Sequence, residues 1–309
     1  MEAFKKKIIE SYQLKVIPSL EKKWDYFLRD FPIQGYSSQL DFLWVKKEKL
    51  KASISFAISN EGEALSLPQS PFGGFWLEES LSAEAIEGFI CAVVLEFSKR
   101  GISQLSITEA PKPYEPANDL VNYLLFKCGF VQKEVISHHF FTGRKKIKKL
   151  VIKELPGFLL KEKEAGVKVI YGPIQNFGFL KEIKSWNLQR GYFVNFEENS
   201  IVQQVSDYPD RYFLITILKN REAIGYSLGV KLTKNSIYYY QSALNPKVPL
   251  KNGGALILHE LFQIAVDQKV DFIDLGSSEL KAGVNHSLMF FKSRFANDVS
   301  NKITWTLNY

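Results

Sequence analysis

Apolar side chains recur along this chain with two different periods, and the switches between the periods mark out its elements. Residues 36–60 alternate, and DFLWVKKEKLKASISFAISN reads as two short strands around a charged turn. SLPQSPFGGFWLEES follows, its backbone punctuated by Pro68, Pro71, Gly73 and Gly74. The spacing then becomes helical. Ile86, Phe89, Ile90, Val93, Val94 and Phe97 predict a helix over Ala83–Lys99, with Ser82 as its N-cap and Arg100 and Gly101 suited to its C-terminal end. ISQLSIT at 102–108 is predicted as a strand, 117–128 as a helix closed by Gly129, and FVQKEVISHHFFT as a further strand.

The second half repeats this order of element types. Residues 176–191 predict a helix ending at Gly191, and YFLITILKN and EAIGYSLGVKLT two strands joined by an Asn/Arg turn. SIYYYQSALNP is a third strand, and an apolar helix runs from about Ala255 to Val266 after the turn KNGG. VDFIDLGSS is the next strand, LMFFKSRFAND a short helix, and NKITWTLNY a final strand. The order predicts an α/β protein of mixed, α+β-like character with two similar domains, a duplicated fold rather than a short repeat. The expected boundaries are a first domain at 1–145, a basic connection at 146–175 and a second domain at 176–309.

That connection opens with RKKIKKLVIK at 144–153, in which six residues are basic and none acidic. It reads as a solvated linker or strand edge, or else as a contact for phosphates.

Composition narrows the class. With 309 residues, 46% of them hydrophobic and 24% charged, the chain is not disordered and has material for two cores. The 24 Phe and 14 Tyr fill such cores or line a groove for an extended ligand. Forty Lys and Arg against 33 Asp and Glu give a net charge of +7, which suits coenzyme A, nucleotides, tRNA or anionic headgroups as partners. Two cysteines, Cys91 and Cys128, make no disulfide framework, and the four histidines fall in no metal-binding pattern, so no metal is expected. The segment MEAFKKKIIESY does not read as a signal peptide, and no run of 18 apolar residues exists. The expected location is the cytoplasm, with at most peripheral membrane contact; the amphipathic start leading to Trp24, Tyr26 and Phe27 is expected to pack on its own domain, contact with a membrane surface being the alternative.

No nucleophile elbow, P-loop or dinucleotide fingerprint is present, so chemistry rests on weaker features. Leu250-Lys251-Asn252-Gly253-Gly254-Ala255 lies between a predicted strand and helix. Its two glycines allow close backbone approach, the following helix offers free N–H groups to a pyrophosphate, and Lys251 adds charge; an ordinary strand–helix turn is the plain alternative. His138 and His139, adjacent on a strand, point to opposite faces and form no pair. His259 follows an apolar helical stripe and reads as structural, and His286 has no visible carboxylate partner.

The element order of the second half resembles the GNAT acyltransferase superfamily, whose pyrophosphate turn has the form Gln/Arg-x-x-Gly-x-Gly/Ala. Here the turn is Leu250-x-x-Gly253-x-Ala255, with leucine in the first position. Nearly the whole chain resembles tandem-GNAT proteins of the Fem peptidoglycan-bridge transferase type. The resembling pieces are PFGGF at 71–75, Asp274-x-Gly276 at a strand end, and Phe291-Lys292-x-x-Phe295. This resemblance implies two GNAT-like domains, each a mainly antiparallel sheet flanked by helices, with the active site expected in the second and the first either degenerate, shaping the acceptor groove, or retaining a donor site. It implies transfer of an acyl group to an amine, from aminoacyl-tRNA to a cell-wall precursor or from acyl-coenzyme A such as acetyl-coenzyme A, with no tightly bound cofactor. Lys292 would then stabilise the charged reacting group and Asp274 orient the amine or accept its proton. Lys251, Asn252, Gly253, Gly254 and Ala255 would contact the donor, and Phe72, Gly73, Gly74, Phe75, Glu279, Lys281 and Arg294 the acceptor, an amine-bearing small molecule or precursor. A non-catalytic protein of the same fold, binding envelope precursors or RNA, is the alternative.

Overall fold

The computed structural model describes residues 11–19, 35–68, 70–192, 194, 196–280 and 283–309. Trp24, Tyr26 and Phe27 lie outside them, as does Lys281. The chain divides into two compact units. Of the described residues, the first takes those up to Ile136 together with Ser300–Tyr309, and the second takes Ser137–Val299.

In the first unit β1 (Gln13–Pro18), β2 (Tyr36–Lys46), β3 (Lys49–Ser59), β4 (Glu63–Ser66), β6 (Gln104–Thr108) and β15 (Asp298–Asn308) lie side by side in that order, with the short β5 (Trp76–Leu77) on β3. Lys47 and Glu48, both at positive φ, form the charged turn that reverses β2 into β3. β4 and β6 are parallel, so they need a crossover, and helix α1 (Ala83–Lys99) supplies it. Ser82 caps α1 by accepting from the Ala85 N–H. The apolar face of α1 enters the core, where Phe97 packs on Phe42 and Phe56, and Phe89 on Trp44 and Phe75. Helix α2 (Asn118–Lys127) follows, then β7 (Val131–Thr142), which begins in the first unit and ends in the second.

In the second unit the order is β7, β12 (Phe272–Ser277), β11 (Ser236–Leu244), β10 (Glu222–Val230), β9 (Tyr212–Lys219) and β8 (Lys168–Gly172). Again one neighbouring pair is parallel, β11 with β12, and again a crossover helix joins it, α6 (Gly253–Asp267). The apolar side of α6 packs on Ile215, Ile217, Ile237 and Ile273 of the sheet. The opposite sheet face is covered by α4 (Gly178–Gln189), through Phe179 and Trp186 on Tyr226. Helix α5 (Glu198–Asp207), the hairpin β13 (Glu279–Leu280) and β14 (Gly283–Val284), and α7 (His286–Ser293) complete the unit.

Two findings depart from the sequence expectation. The basic segment expected as a linker or strand edge begins a 22-residue helix, α3 (Arg144–Ala165). Ile147, Val151 and Phe158 fall on one side of it and are buried in the α6 core, a stripe that the surrounding lysines hide in a short window. The last strand, expected in the second domain, pairs with β6 of the first unit, Trp305 opposite Ile107. Burial of Trp305 and the bond from its indole N–H to Asn122 (2.6 Å) hold it there.

One buried acid bears on the first unit's stability. Glu109 is fully buried, and its carboxyl lies well above the usual carboxylate range, because burial outweighs the bond from the Phe75 N–H, with nearby Glu115 adding to the rise. The folded state therefore keeps a proton that the unfolded chain releases, so this contribution to stability is present below the ordinary carboxylate pKa and fades as pH rises from there toward the raised one. The expected outcome is that wild-type stability to urea falls between pH 4.5 and 8 relative to Glu109→Gln, the difference widening with pH. A difference that narrows with pH would show the carboxyl to be ionised in the fold.

Candidate functional site

In each unit the parallel pair is hydrogen-bonded over only three residue pairs before the strands part. In the first unit these run from Glu63↔Gln104 to Leu65↔Ser106, and in the second from Ser236↔Phe272 to Tyr238↔Asp274. Beyond them the two strands are no longer paired with each other, and their facing backbone groups need other partners.

The first unit closes its own opening. The Thr108 N–H donates to Ser66 Oγ (2.9 Å), and Thr108 O accepts from the Gly73 N–H (2.9 Å). The Phe75 N–H donates to the Glu109 carboxyl oxygens (3.2 and 3.4 Å). A Cβ on Gly73 would lie 2.9 Å from Ser66, and one on Gly74, at φ +85°, would lie 2.7 Å from Glu109 Oε2. The PFGGF segment thus needs its glycines for contact with its own chain. Phe72 and Phe75 are each 1% exposed, packed on Tyr114 and Phe89 respectively, which leaves no ring face for a ligand.

In the second unit polar side chains gather where the strands part. Asp274, the last residue of β12 paired with β11, is fully buried. Its Oδ1 accepts from the Gly276 N–H (2.7 Å), and His138 Nδ1 lies 3.1 and 3.2 Å from its two oxygens. Register explains the meeting: Asp274 pairs with Phe140 of β7, so its side chain shares a face with Phe140 and, two residues back, with His138. A carboxylate accepting from Nδ1–H leaves Nε2 as the basic nitrogen of the ring. Gly276 sits at φ +72°, turning β12 at the end of the pairing.

Lys292, on α7, is 4% exposed and donates to the Ser277 carbonyl of β12, with its Nζ 5.9 Å from the centre of the Tyr239 ring of β11. The ammonium therefore touches both strands just past the point where they separate. Burial brings its pKa down to about 8, and the charge of Asp274 limits the fall. His139, on the other face of β7, is also held below the usual imidazole range, first by burial and then by the charges of Lys292 and His138. His139 Nδ1 and Ser278 Oγ are buried with no hydrogen-bond partner among the described residues.

The sequence named Asp274 and Lys292, and both lie at this opening. It set His138 and His139 aside because they point to opposite faces, which they do; the partner of His138 comes from β12, 136 residues away. Two consecutive histidines directly before Phe140 and Phe141, at the buried end of the strand, were the available signal. The turn before α6 matches the plain alternative of a strand–helix turn in what its glycines touch. Lys251 and Asn252 are exposed, with Asn252 at φ +62°, and Ala255 is half-buried. A Cβ on Gly253 would lie 2.7 Å from Leu244 Cδ1, and one on Gly254 would lie 3.0 Å from Phe291 Cζ. These glycines admit neighbouring side chains of the protein. Glu279 is exposed in the β13–β14 hairpin, and Arg294 is exposed at the end of α7. His286 is exposed, and His259 stacks on Phe158 at 3.9 Å. No group of three potential metal-ligating side chains occurs among the described residues.

No family model matches the chain, and no curated protein does either. Solved structures do. FemX aligns with a TM-score of 0.65 at 9% identity, covering 89% of each chain. A tandem GNAT protein from the clavulanic acid biosynthesis pathway aligns at 0.56 and 9% identity, over 96% of this chain and 98% of that one. The C-terminal domain of a putative lysylphosphatidylglycerol synthetase from Agrobacterium fabrum aligns at 0.55 and 10%, over 84% and 82%. The chain has a tandem GNAT-like fold of two mixed α/β lobes, the architecture its sequence led us to expect.

The low pKa of Lys292 is open to direct measurement. In a ¹³C-lysine-labelled sample, the Lys292 Cε shift is expected to titrate near pH 8, apart from the exposed lysines. Asp274→Asn, which removes the charge that holds the ammonium up, is expected to lower that midpoint. A midpoint above 10 in wild type would contradict the buried placement.

Proposed function

We propose that this protein is an N-acyltransferase that forms an amide from an activated acyl group and an amine, at the opening between β11 and β12. One observation carries the reading: the buried ammonium of Lys292 bridges the parted strands, in the same unit as the buried His138–Asp274 pair. A buried ammonium is costly to the fold, and its use lies in stabilising negative charge that develops nearby.

The acceptor arrives as an ammonium and must lose a proton. His138 Nε2 takes it, while Asp274 fixes the tautomer and orientation of the ring and acts as a positioning residue. The amine lone pair adds to the acyl carbon, and the carbonyl pair moves onto oxygen. Lys292 has three N–H bonds, and Ser277 uses one, so the others are available to that oxyanion. The imidazolium releases this first proton to solvent, the freed imidazole takes the second proton from the adduct nitrogen, and collapse passes that proton to the departing alcohol or thiol, leaving the neutral amide. The unpartnered His139 Nδ1 and Ser278 Oγ are further groups that a bound substrate can satisfy.

Two contacts favour an aminoacyl ester of tRNA over acyl-coenzyme A as the donor. Phe291 occupies the space above Gly254 at the start of α6, where a pyrophosphate would otherwise approach. Lys292 already takes the Ser277 carbonyl, a group that an extended pantetheine arm would use. The likeness to a lysylphosphatidylglycerol synthetase, whose name specifies a lysyl group, agrees with an aminoacyl donor. A cell-wall precursor peptide with a free side-chain amine is the acceptor class to try first.

The assay combines charged tRNA or acetyl-coenzyme A with such a peptide. Lys292→Met, which keeps the packing and removes the charge, is expected to lower turnover by about 100-fold or more, with little loss of stability. Wild-type activity is expected to decline as pH rises through about 8, where Lys292 loses its proton. Undiminished turnover in a folded Lys292→Met protein would end the assignment. Transfer from acetyl-coenzyme A alone would keep the reaction and reverse the choice of donor.

A further inference from the structure

Helix α3 buries one stripe against its own unit, and that stripe accounts for only part of its apolar surface. Ile152, Leu155 and Leu159 are 63%, 42% and 53% exposed. Their spacing puts them on one line along the helix, roughly 100° around from the buried side chains at 100° per residue. The same line begins with Lys145 and Lys148 and ends with Lys163, all exposed. Leu160, 55% exposed, and Lys149 widen it on one side. The helix as a whole carries eight basic residues (Arg144, Lys145, Lys146, Lys148, Lys149, Lys153, Lys161 and Lys163) and three acidic ones, Glu154, Glu162 and Glu164. Among the described residues, Arg144 is the only one of the eight in an ion pair, with Asp271.

We infer that α3 docks this protein onto an anionic membrane surface, its Ile152–Leu155–Leu159 ridge entering the headgroup layer while the lysines at either end meet lipid phosphates. Two features select this occupant. The lysines complement negative charge, and an anionic lipid layer offers it over the whole length of the helix. The apolar ridge between them would stay wet against a nucleic acid, whereas at a bilayer it reaches the acyl boundary and the lysine stems extend back to the headgroups. None of the described helices is long and apolar enough to cross a membrane, so this is attachment along the surface. The inference stands apart from the acyl-transfer reading, since none of these residues touches the proposed reaction centre.

The test is co-sedimentation of the full chain with vesicles of phosphatidylcholine alone or with about 30% phosphatidylglycerol. Binding is expected only to the anionic vesicles and to weaken with salt, each lysine being worth about fivefold. The triple variant Ile152→Ser, Leu155→Ser, Leu159→Ser is expected to lose at least about tenfold in affinity. The three positions are exposed, and circular dichroism with a thermal melt confirms that the variant folds. Equal binding by this variant, or no binding to anionic vesicles, overturns the inference. So does tRNA binding that Lys145→Glu/Lys148→Glu abolishes while vesicle binding is absent, which would make α3 a nucleic-acid surface. A dimer that the serine variant dissociates, again without vesicle binding, would assign the ridge to a second copy of the chain and overturn it as well. Because transfer activity is assayed separately on soluble substrates, failure here leaves the reaction assignment unaffected.

Discussion

A parallel strand pair that stays bonded for three residue pairs and then separates is the constraint on which the rest of this structure turns. Separation exposes main-chain donors and acceptors inside the protein, where leaving them unpaired costs roughly 1–3 kcal/mol each. Something must fill the space. The first unit fills it with its own residues 71–75, using two glycines that permit backbone approach and the Glu109 carboxyl group, which receives the Phe75 N–H. The second unit places one lysine there, and an ammonium with donors to spare can change partners in a way that a built-in strand segment cannot.

That difference separates two lobes of the same architecture. Burying an ammonium carries a desolvation cost of several kcal/mol, which is why its proton is held less tightly than on an exposed lysine. The Ser277 carbonyl, the Tyr239 ring and the charge of Asp274 offset part of that cost. The first unit carries its buried acid differently: burial raises the Glu109 carboxyl well above the usual carboxylate range, which favours its neutral form.

The elements around Lys292 are tied to it by packing. Phe291, its neighbour on α7, lies 3.0 Å from where a Cβ of Gly254 would be, so the start of α6 and the position of the lysine are set together. His138 reaches Asp274 because β7 and β12 are antiparallel in a particular register, and Gly276 bends β12 immediately afterwards. A one-residue slip of β7 would turn His138 to the α6 face and bring His139 to the carboxylate.

The sequence by itself determined most elements, because alternation and helical spacing are local properties: β2 and β3 about their charged turn, α1 from its cap to Gly101, and the strand–helix–strand run from β11 to β12 are all written in windows of a few residues. It also marked Asp274 and Lys292, through a strand end and a basic residue within an apolar segment. It misjudged α3, whose buried stripe is spread over 12 residues among lysines, and it placed the last strand with the residues that precede it in the chain. Only the tertiary structure decided which histidine meets Asp274, that the glycines at 253 and 254 make room for Leu244 and Phe291, and that residues 71–75 close the first opening. The reason is the same in each case. These are pairings between residues far apart in the chain, fixed by register and by the volume left between packed elements, and neither quantity is carried by any local stretch of sequence.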